Sequence, residues 1–292
     1  MNDKNGTIDI DGYKVWYRQL GSEGIPLLTL HGGPGLSHDY LEPLEALAVD
    51  RPIIFYDQLG SGKSDQPDDP SLWLMERFVS EVSTVRNALG LEQIHLLGHS
   101  WGGWLAIEYM LTQPSGVVSL TLSSTSASTP EFIAEATRLK TELPQDVYNT
   151  LEHYEASGEL HHPDYQAAVS EFYQRHLCRL DPMPDAFLRS LANLEGNGGV
   201  VYETMFGPNE FTATGNLKDW DRTNRLSEIT APTLITVGRY DEMTPTCAET
   251  MVQGIPNATM HIFEQSSHSA HVEETAAYLQ VLSDFLTDVE KG

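Results

Sequence analysis

The sequence predicts an α/β domain with a mainly parallel central sheet, interrupted once by an inserted helical cap. Three observations predict it. Short apolar runs recur along the chain with helical patterns between them, the signature of alternating strands and helices. Those runs are apolar on both faces, as strands covered by helices on each side must be. One interval, of roughly a hundred residues, is far longer than a simple crossover needs.

Taken in order, TIDIDGYKVWYRQLG alternates apolar and polar residues around Asp11-Gly12 and reads as a β-hairpin. Strands are expected at PLLTL (26–30), PIIFYD (52–57), IHLLG (94–98), VVSLTLS (117–123), TLITVG (233–238) and MHIFEQ (260–265). Leu74, Phe78, Val82, Val85 and Leu89 share one helical face, and Gly90 stops that helix. Trp101 to Leu111 is apolar almost all round, as in a buried helix, and ends before Pro114. The long interval, with helical patterns and aromatics such as Phe172, Tyr173, Phe187, Tyr202 and Phe206, reads as a cap of residues 124–227. Residues 1–123 and 228–292 then form the core, and a cap at the carboxyl ends of the strands lies over the ligand crevice.

Composition narrows the partners. The chain has 292 residues, 40% of them hydrophobic, and a formal net charge of -25. With so few cations it has no basic footprint for nucleic acid or an anionic membrane. Such a charge draws in a cationic substrate, or serves solubility alone. The polar N-terminus lacks the apolar core of a secretory signal, and no run of about eighteen apolar residues occurs. Cys178 and Cys247 have no metal-ligand spacing around them and are expected as two buried thiols. A cytoplasmic protein fits these features.

The chemistry centres on IHLLGHSWGGW. Gly98-His99-Ser100-Trp101-Gly102, between a buried strand and a buried helix, has the context of a nucleophile elbow. The turn strains Ser100, so its neighbours at 98 and 102 must be small, and the N–H of Trp101 faces the same spot. HGGPG, residues 31–35, directly follows a strand and offers the second donor of an oxyanion hole, Gly33 or alternatively Gly32. A serine hydroxyl needs a base. His268 stands just past the last core strand, with His271 three residues on as a rival. Asp241, just past its own strand, is the orienting acid, and the order Ser100, Asp241, His268 is that of the α/β-hydrolases.

HGGPG, YDQLGSGKS, GHSWGG, FGPNEF, the YDEMTP segment and the late histidine together resemble the proline iminopeptidase family. The likeness runs from about residue 10 to about residue 285 and is greatest to the aminopeptidases that work with the tricorn protease. It implies an α/β-hydrolase that removes N-terminal residues, proline or others mostly apolar, through an acyl-enzyme and without a cofactor. It also implies that Glu210 of FGPNEF and Glu242 of YDEM bind the substrate's free α-amino group. A buried ammonium needs paired carboxylates, and a pair at fixed distance from Ser100 selects aminopeptidase geometry. Trp101, Tyr202, Met205 and Phe206 are candidate walls for an apolar first residue. The alternatives are an amino-acid amidase or small-ester hydrolase of the same fold and, more remotely, a non-catalytic binding module.

Two further patterns are set aside. Gly62-Lys63-Ser64 matches the end of a P-loop, but Asp57 occupies the required upstream glycine position and no helix follows. His153, His161, His162 and Asp164 in the cap are read as a solvated surface and not as metal ligands.

Overall fold

The hairpin forms where the alternation places it, with β1 (Asp3–Ile10) and β2 (Tyr13–Leu20) turned by Asp11 at φ 55° and Gly12 at φ 86°. The remaining strands are β3 (Leu27–Leu30), β4 (Ile53–Tyr56), β5 (Ile94–His99), β6 (Val117–Ser123), β7 (Thr233–Gly238) and β8 (Ala258–Phe263). The structure, a computed structural model, describes residues 2–292. The eight strands make one sheet in the order β1-β2-β4-β3-β5-β6-β7-β8. β1, β2 and β4 pair antiparallel, and every later pairing is parallel.

β3 through β7 are buried along their whole length apart from the first residues of β6, as two-sided apolar runs require. β8 differs. It begins at Ala258, two residues before the expected start, and ends at Phe263. As the edge strand it buries little of its outer face, so no continuous apolar run marks its bounds. Similarly, helix α1 (Met75–Ala88) buries Phe78, Val82 and Val85, but Leu74 is its exposed N-cap and not part of the buried face. Helix α2 (Trp101–Leu111) is buried on nearly every side.

The sheet order places the site. β3 lies between β4 and β5, so the chain leaves β4 on one side and returns as β5 on the other. The loops after β3 and β5 therefore adjoin at the carboxyl edge, at the point where the winding reverses.

Between β6 and β7 run helices α3 (Thr129–Thr141), α4 (Gln145–Ser157), α5 (Pro163–His176), α6 (Asp185–Leu191) and α7 (Asn197–Met205). The chain enters and leaves this segment side by side. Ser128 bridges Asp221, and the N–H groups of Thr129 and Arg222 each donate across 2.8 Å to Trp220 and Ala127. Trp104 of α2 stacks on Trp220 with ring centroids 4.9 Å apart, and Phe132 and Phe206 pack on the same indole. Burying rings of this size contributes about 1.5–3 kcal/mol each, which seats the helical segment on the core. The chain ends with α8 (Pro245–Gly254), α9 (Ala270–Glu273) and α10 (Thr275–Lys291). Cys178 and Cys247 are free and buried. Among the described residues, no helix is long and apolar enough to cross a membrane.

Candidate active site

Ser100 sits between β5 and α2 with φ 55° and ψ −126°, a conformation that L-residues adopt only under constraint. The constraint is steric. A Cβ on Gly98 would stand 2.2 Å from the Gly102 carbonyl oxygen, and one on Gly102 would stand 2.0 Å from that of Leu30. Only glycines allow the elbow to lie this close to β3. Trp101 is the first residue of α2, so its N–H has no carbonyl one turn earlier in the helix to bond.

The HGGPG loop lies against the serine, since a Cβ on Gly32 would come within 3.0 Å of Ser100 Cβ. The two alternative donors of this loop are not equivalent. Gly32 N–H donates to the Tyr40 hydroxyl across 2.7 Å, whereas Gly33 N–H, at φ 111°, has no partner among the described residues. The loop is held from behind by Gln58, which receives the Trp101 indole N–H at 2.8 Å and donates to the His31 carbonyl at 2.9 Å.

Asp241 and His268 meet across the ends of β7 and β8. His268 Nδ1 lies 2.7 Å from Asp241 Oδ1, which also accepts the Met243 N–H at 2.9 Å. Both side chains are buried. His271 faces elsewhere: its Nε2 donates to the Tyr40 backbone carbonyl at 3.1 Å, and burial holds its imidazole down to about 3.

Glu242, adjacent to Asp241, turns the other way. Its Oε1 is 3.8 Å from His268 Nε2, and its Oε2 has no hydrogen-bond partner among the described residues. Burial, then the charges of Glu210 and Asp241, pushes its carboxyl well above the usual range. Glu210 accepts a hydrogen bond from the Tyr202 hydroxyl. Burial raises its carboxyl too, with the Tyr202 bond and His268 opposing. A buried acid, Glu242, and a half-buried one, Glu210, thus face one space, and among the described residues no Lys or Arg pairs with either, so ionising both costs free energy unless a positive ligand arrives.

A cavity of about 320 Å³ collects these groups, with Gly33, Ser100, His268, Glu210 and Glu242 on its wall. A smaller recess of about 10 Å³ adjoins it, walled by Trp101, Trp104, Phe132, Phe206 and Met243. Gly33, Ser100 and Glu210 border both spaces. Of the wall residues expected from sequence, Trp101 and Phe206 line the recess and Tyr202 the larger cavity. Met205 lines neither space; it is fully buried in the core, pointing away from the site.

The set-aside patterns have structural jobs. Asp57 accepts from the His38 N–H at 2.8 Å and the Lys63 N–H at 2.9 Å, shaping the loop that mimics a P-loop. His162 caps α5 through the Asp164 N–H, and His153 packs edge-on to Tyr154. His38, Asp39 and Glu42 do cluster closely enough to hold an ion. Each is already engaged, His38 by Asp57 and the two acids by Arg189.

Tyr40, His99 and His176 were not foreseen. His99 lay in plain view inside GHSWGG, but its function depends on neighbours 59 and 169 positions away in the chain. His176, the last residue of α5, offers its carbonyl to the N–H groups of both Glu242, at 3.2 Å, and His268, at 3.1 Å.

A strained serine at a strand–helix elbow, an Asp–His pair in the loops after two later strands and a loop N–H without a partner among the described residues define the class, and the sequence model of the alpha/beta hydrolase fold matches residues 25–275. The chain is 43% identical over 286 residues to a proline iminopeptidase of Heyndrickxia coagulans, covering 97% of this chain and 99% of that protein. The crystal structure of a Mycobacterium smegmatis proline iminopeptidase superposes with a TM-score of 0.92 at 38% identity, covering 98% of each chain. That of VinJ superposes with a TM-score of 0.94 at 35% identity, covering 98% of this chain and 99% of that one. The chain belongs to the proline iminopeptidase family of α/β-hydrolases.

Proposed function

We infer that the protein is a serine aminopeptidase that releases N-terminal proline, and other mostly apolar first residues, from short peptides. The observation that carries this is the pair of acids with raised carboxyls, buried Glu242 and half-buried Glu210, on the wall shared with Ser100 and His268. An α-amine and the nitrogen of the bond to be cut are separated by three covalent bonds. Glu242 Oε1 and His268 Nε2, 3.8 Å apart, can address those two nitrogens together.

Ser100 Oγ attacks the first carbonyl while His268 Nε2 takes its proton, and Asp241 holds the imidazole by Nδ1. The N–H groups of Trp101 and Gly33 receive the oxyanion; losing one such donor typically costs about 10²–10³ in turnover. His268 then gives the proton to the leaving amine, and water releases the amino acid from Ser100. The ammonium on Glu210 and Glu242 ends the substrate, which makes an exopeptidase. The first side chain faces the aromatic recess beside Ser100, which at about 10 Å³ holds no more than a water and must widen to take a proline ring. Residues 124–227 act as a cap that contributes Glu210 and Tyr202 to a core of residues 1–123 and 228–292. Two buried free thiols and short-peptide substrates fit a cytoplasmic setting.

The test compares proline anilide with its N-acetylated form. Turnover confined to the free amine is expected; equal turnover of both moves the assignment to an amidase or esterase. Ser100→Ala abolishes hydrolysis of each.

A further inference from the structure

The larger cavity has two chemically different walls. Glu210, Glu242 and Tyr202 form one. The other is apolar, made by Leu36, Leu177, Phe187, Leu191 and Leu194. These five come from separate pieces of chain: the stretch after HGGPG, the end of α5, α6, and the turn Ala192–Glu195. Leu36, Leu177 and Leu191 rest their backs on the buried apolar cluster that includes Tyr40, Leu41, Leu44 and Phe187 and remain half-buried, so apolar surface is left facing the cavity.

Contacts place this wall on the histidine side of the serine. Phe187 packs edge-on to Tyr40, Tyr40 to His99, and His99 to His268, with centroids 5.7, 5.1 and 4.9 Å apart. Leu177 follows His176, whose carbonyl holds the His268 N–H. Ser37 and Ser190 exchange two hydrogen bonds of 3.0 Å, which fixes α6 against the oxyanion loop. His268 must protonate the leaving amine, so the leaving part of the substrate lies on this side.

Resting on the aminopeptidase reading, we propose that the Leu36–Leu177–Phe187–Leu191–Leu194 wall is a subsite for an apolar second residue, selecting peptides by the side chain just beyond the scissile bond. Glu203, Glu210 and Glu242 on the same cavity act against an acidic residue there. A neutral polar side chain is not repelled, but it gains nothing from the wall and loses its water.

Three neutral-tailed substrates test it: proline amide, prolyl-leucine amide and prolyl-serine amide, each assayed by proline release. We expect kcat/KM for the leucine compound to exceed that for the serine compound by about tenfold or more, the scale of one well-buried aliphatic side chain. Leu191→Ser and Leu194→Ser, each confirmed as folded by its melting transition, both narrow that ratio. Cleavage of proline amide with equal rates for the leucine and serine compounds overturns the subsite and leaves the aminopeptidase intact. An unchanged ratio in both folded variants overturns it equally. No release from any of the three compounds removes the aminopeptidase reading itself.

Discussion

His99 Nε2 donates to the backbone carbonyl of His268 across 2.9 Å. A carbonyl can only accept, so the hydrogen sits on Nε2 and Nδ1 is the acceptor. Tyr40 supplies the matching donor at 2.9 Å, and its oxygen accepts the Gly32 N–H at 2.7 Å. Burial, with His271 and His268 nearby, holds the His99 imidazole well below its usual value, which keeps this direction fixed. A continuous hydrogen-bonded line therefore joins the HGGPG loop to the loop of His268.

Tyr40→Phe cuts that line at its centre. The ring still packs between Phe187 and His271, but Gly32 N–H and His99 Nδ1 lose their partners in a buried place. Each group left unpaired costs about 1–3 kcal/mol, so the melting temperature falls. Because the lost bonds hold the HGGPG and His268 loops in place, kcat should fall more than KM rises. A variant with full kcat would show that the line does not position the catalytic loops.

Glu242→Gln should stabilise the free enzyme and damage the reaction. The Glu242 carboxyl is raised in the folded state by burial and by Glu210 and Asp241. A raised acid favours folding below its unfolded value, about 4.3, and loses that contribution as pH rises through the folded value. Glutamine has no proton to lose. The melting temperature of the variant relative to the parent should therefore climb as pH rises above about 4.3 and level off once the folded carboxyl has ionised, while kcat/KM for free-amine substrates drops far more than for a simple ester. A stability difference that shrinks with pH contradicts the burial argument.

The same acids give amine binding its own pH dependence. Both carboxyls must ionise to hold an ammonium, and burial raises both. KM for a free-amine substrate should thus fall as pH rises from the acid side, until the substrate's amine, near 8, begins to lose its proton. An ester without an amine should show no such limb. The two profiles, measured on one preparation, separate amine binding from pH effects on the hydrolytic step that both substrates share.

The fold and the geometry of the candidate catalytic residues were legible because local sequence controls them. The glycines at 98, 102 and 103 are demanded by backbone contacts within the elbow, and Asp241 and His268 each follow a buried or half-buried strand directly. The supporting shell was not legible. Tyr40 reaches His99 from 59 residues away, and the α6 side chains reach the cavity only because Ser190 is bonded to Ser37, 153 positions earlier. Met205 was misplaced for a related reason: at helical spacing, an apolar side chain facing the core and one facing a cavity look alike.

His176 connects the inserted helices to the chemistry. Its carbonyl holds the N–H groups of Glu242 and His268, and its Nδ1 donates to the Tyr240 carbonyl at 2.8 Å. One helix end thus sets the spacing between Glu242 and His268, the proposed amine-binding and catalytic residues. Burial, opposed by the Tyr240 bond, lowers the imidazole below its ordinary value, so it serves as a neutral donor. His176→Ala removes that donor and lets the α5 terminus move relative to residues 240–242. Free-amine substrates should then lose more kcat/KM than a simple ester, because only they need Glu242 and His268 in register. Asparagine, which can donate a side-chain N–H, should restore part of the difference. Equal losses on both substrates, with no rescue by asparagine, would reduce His176 to a packing role.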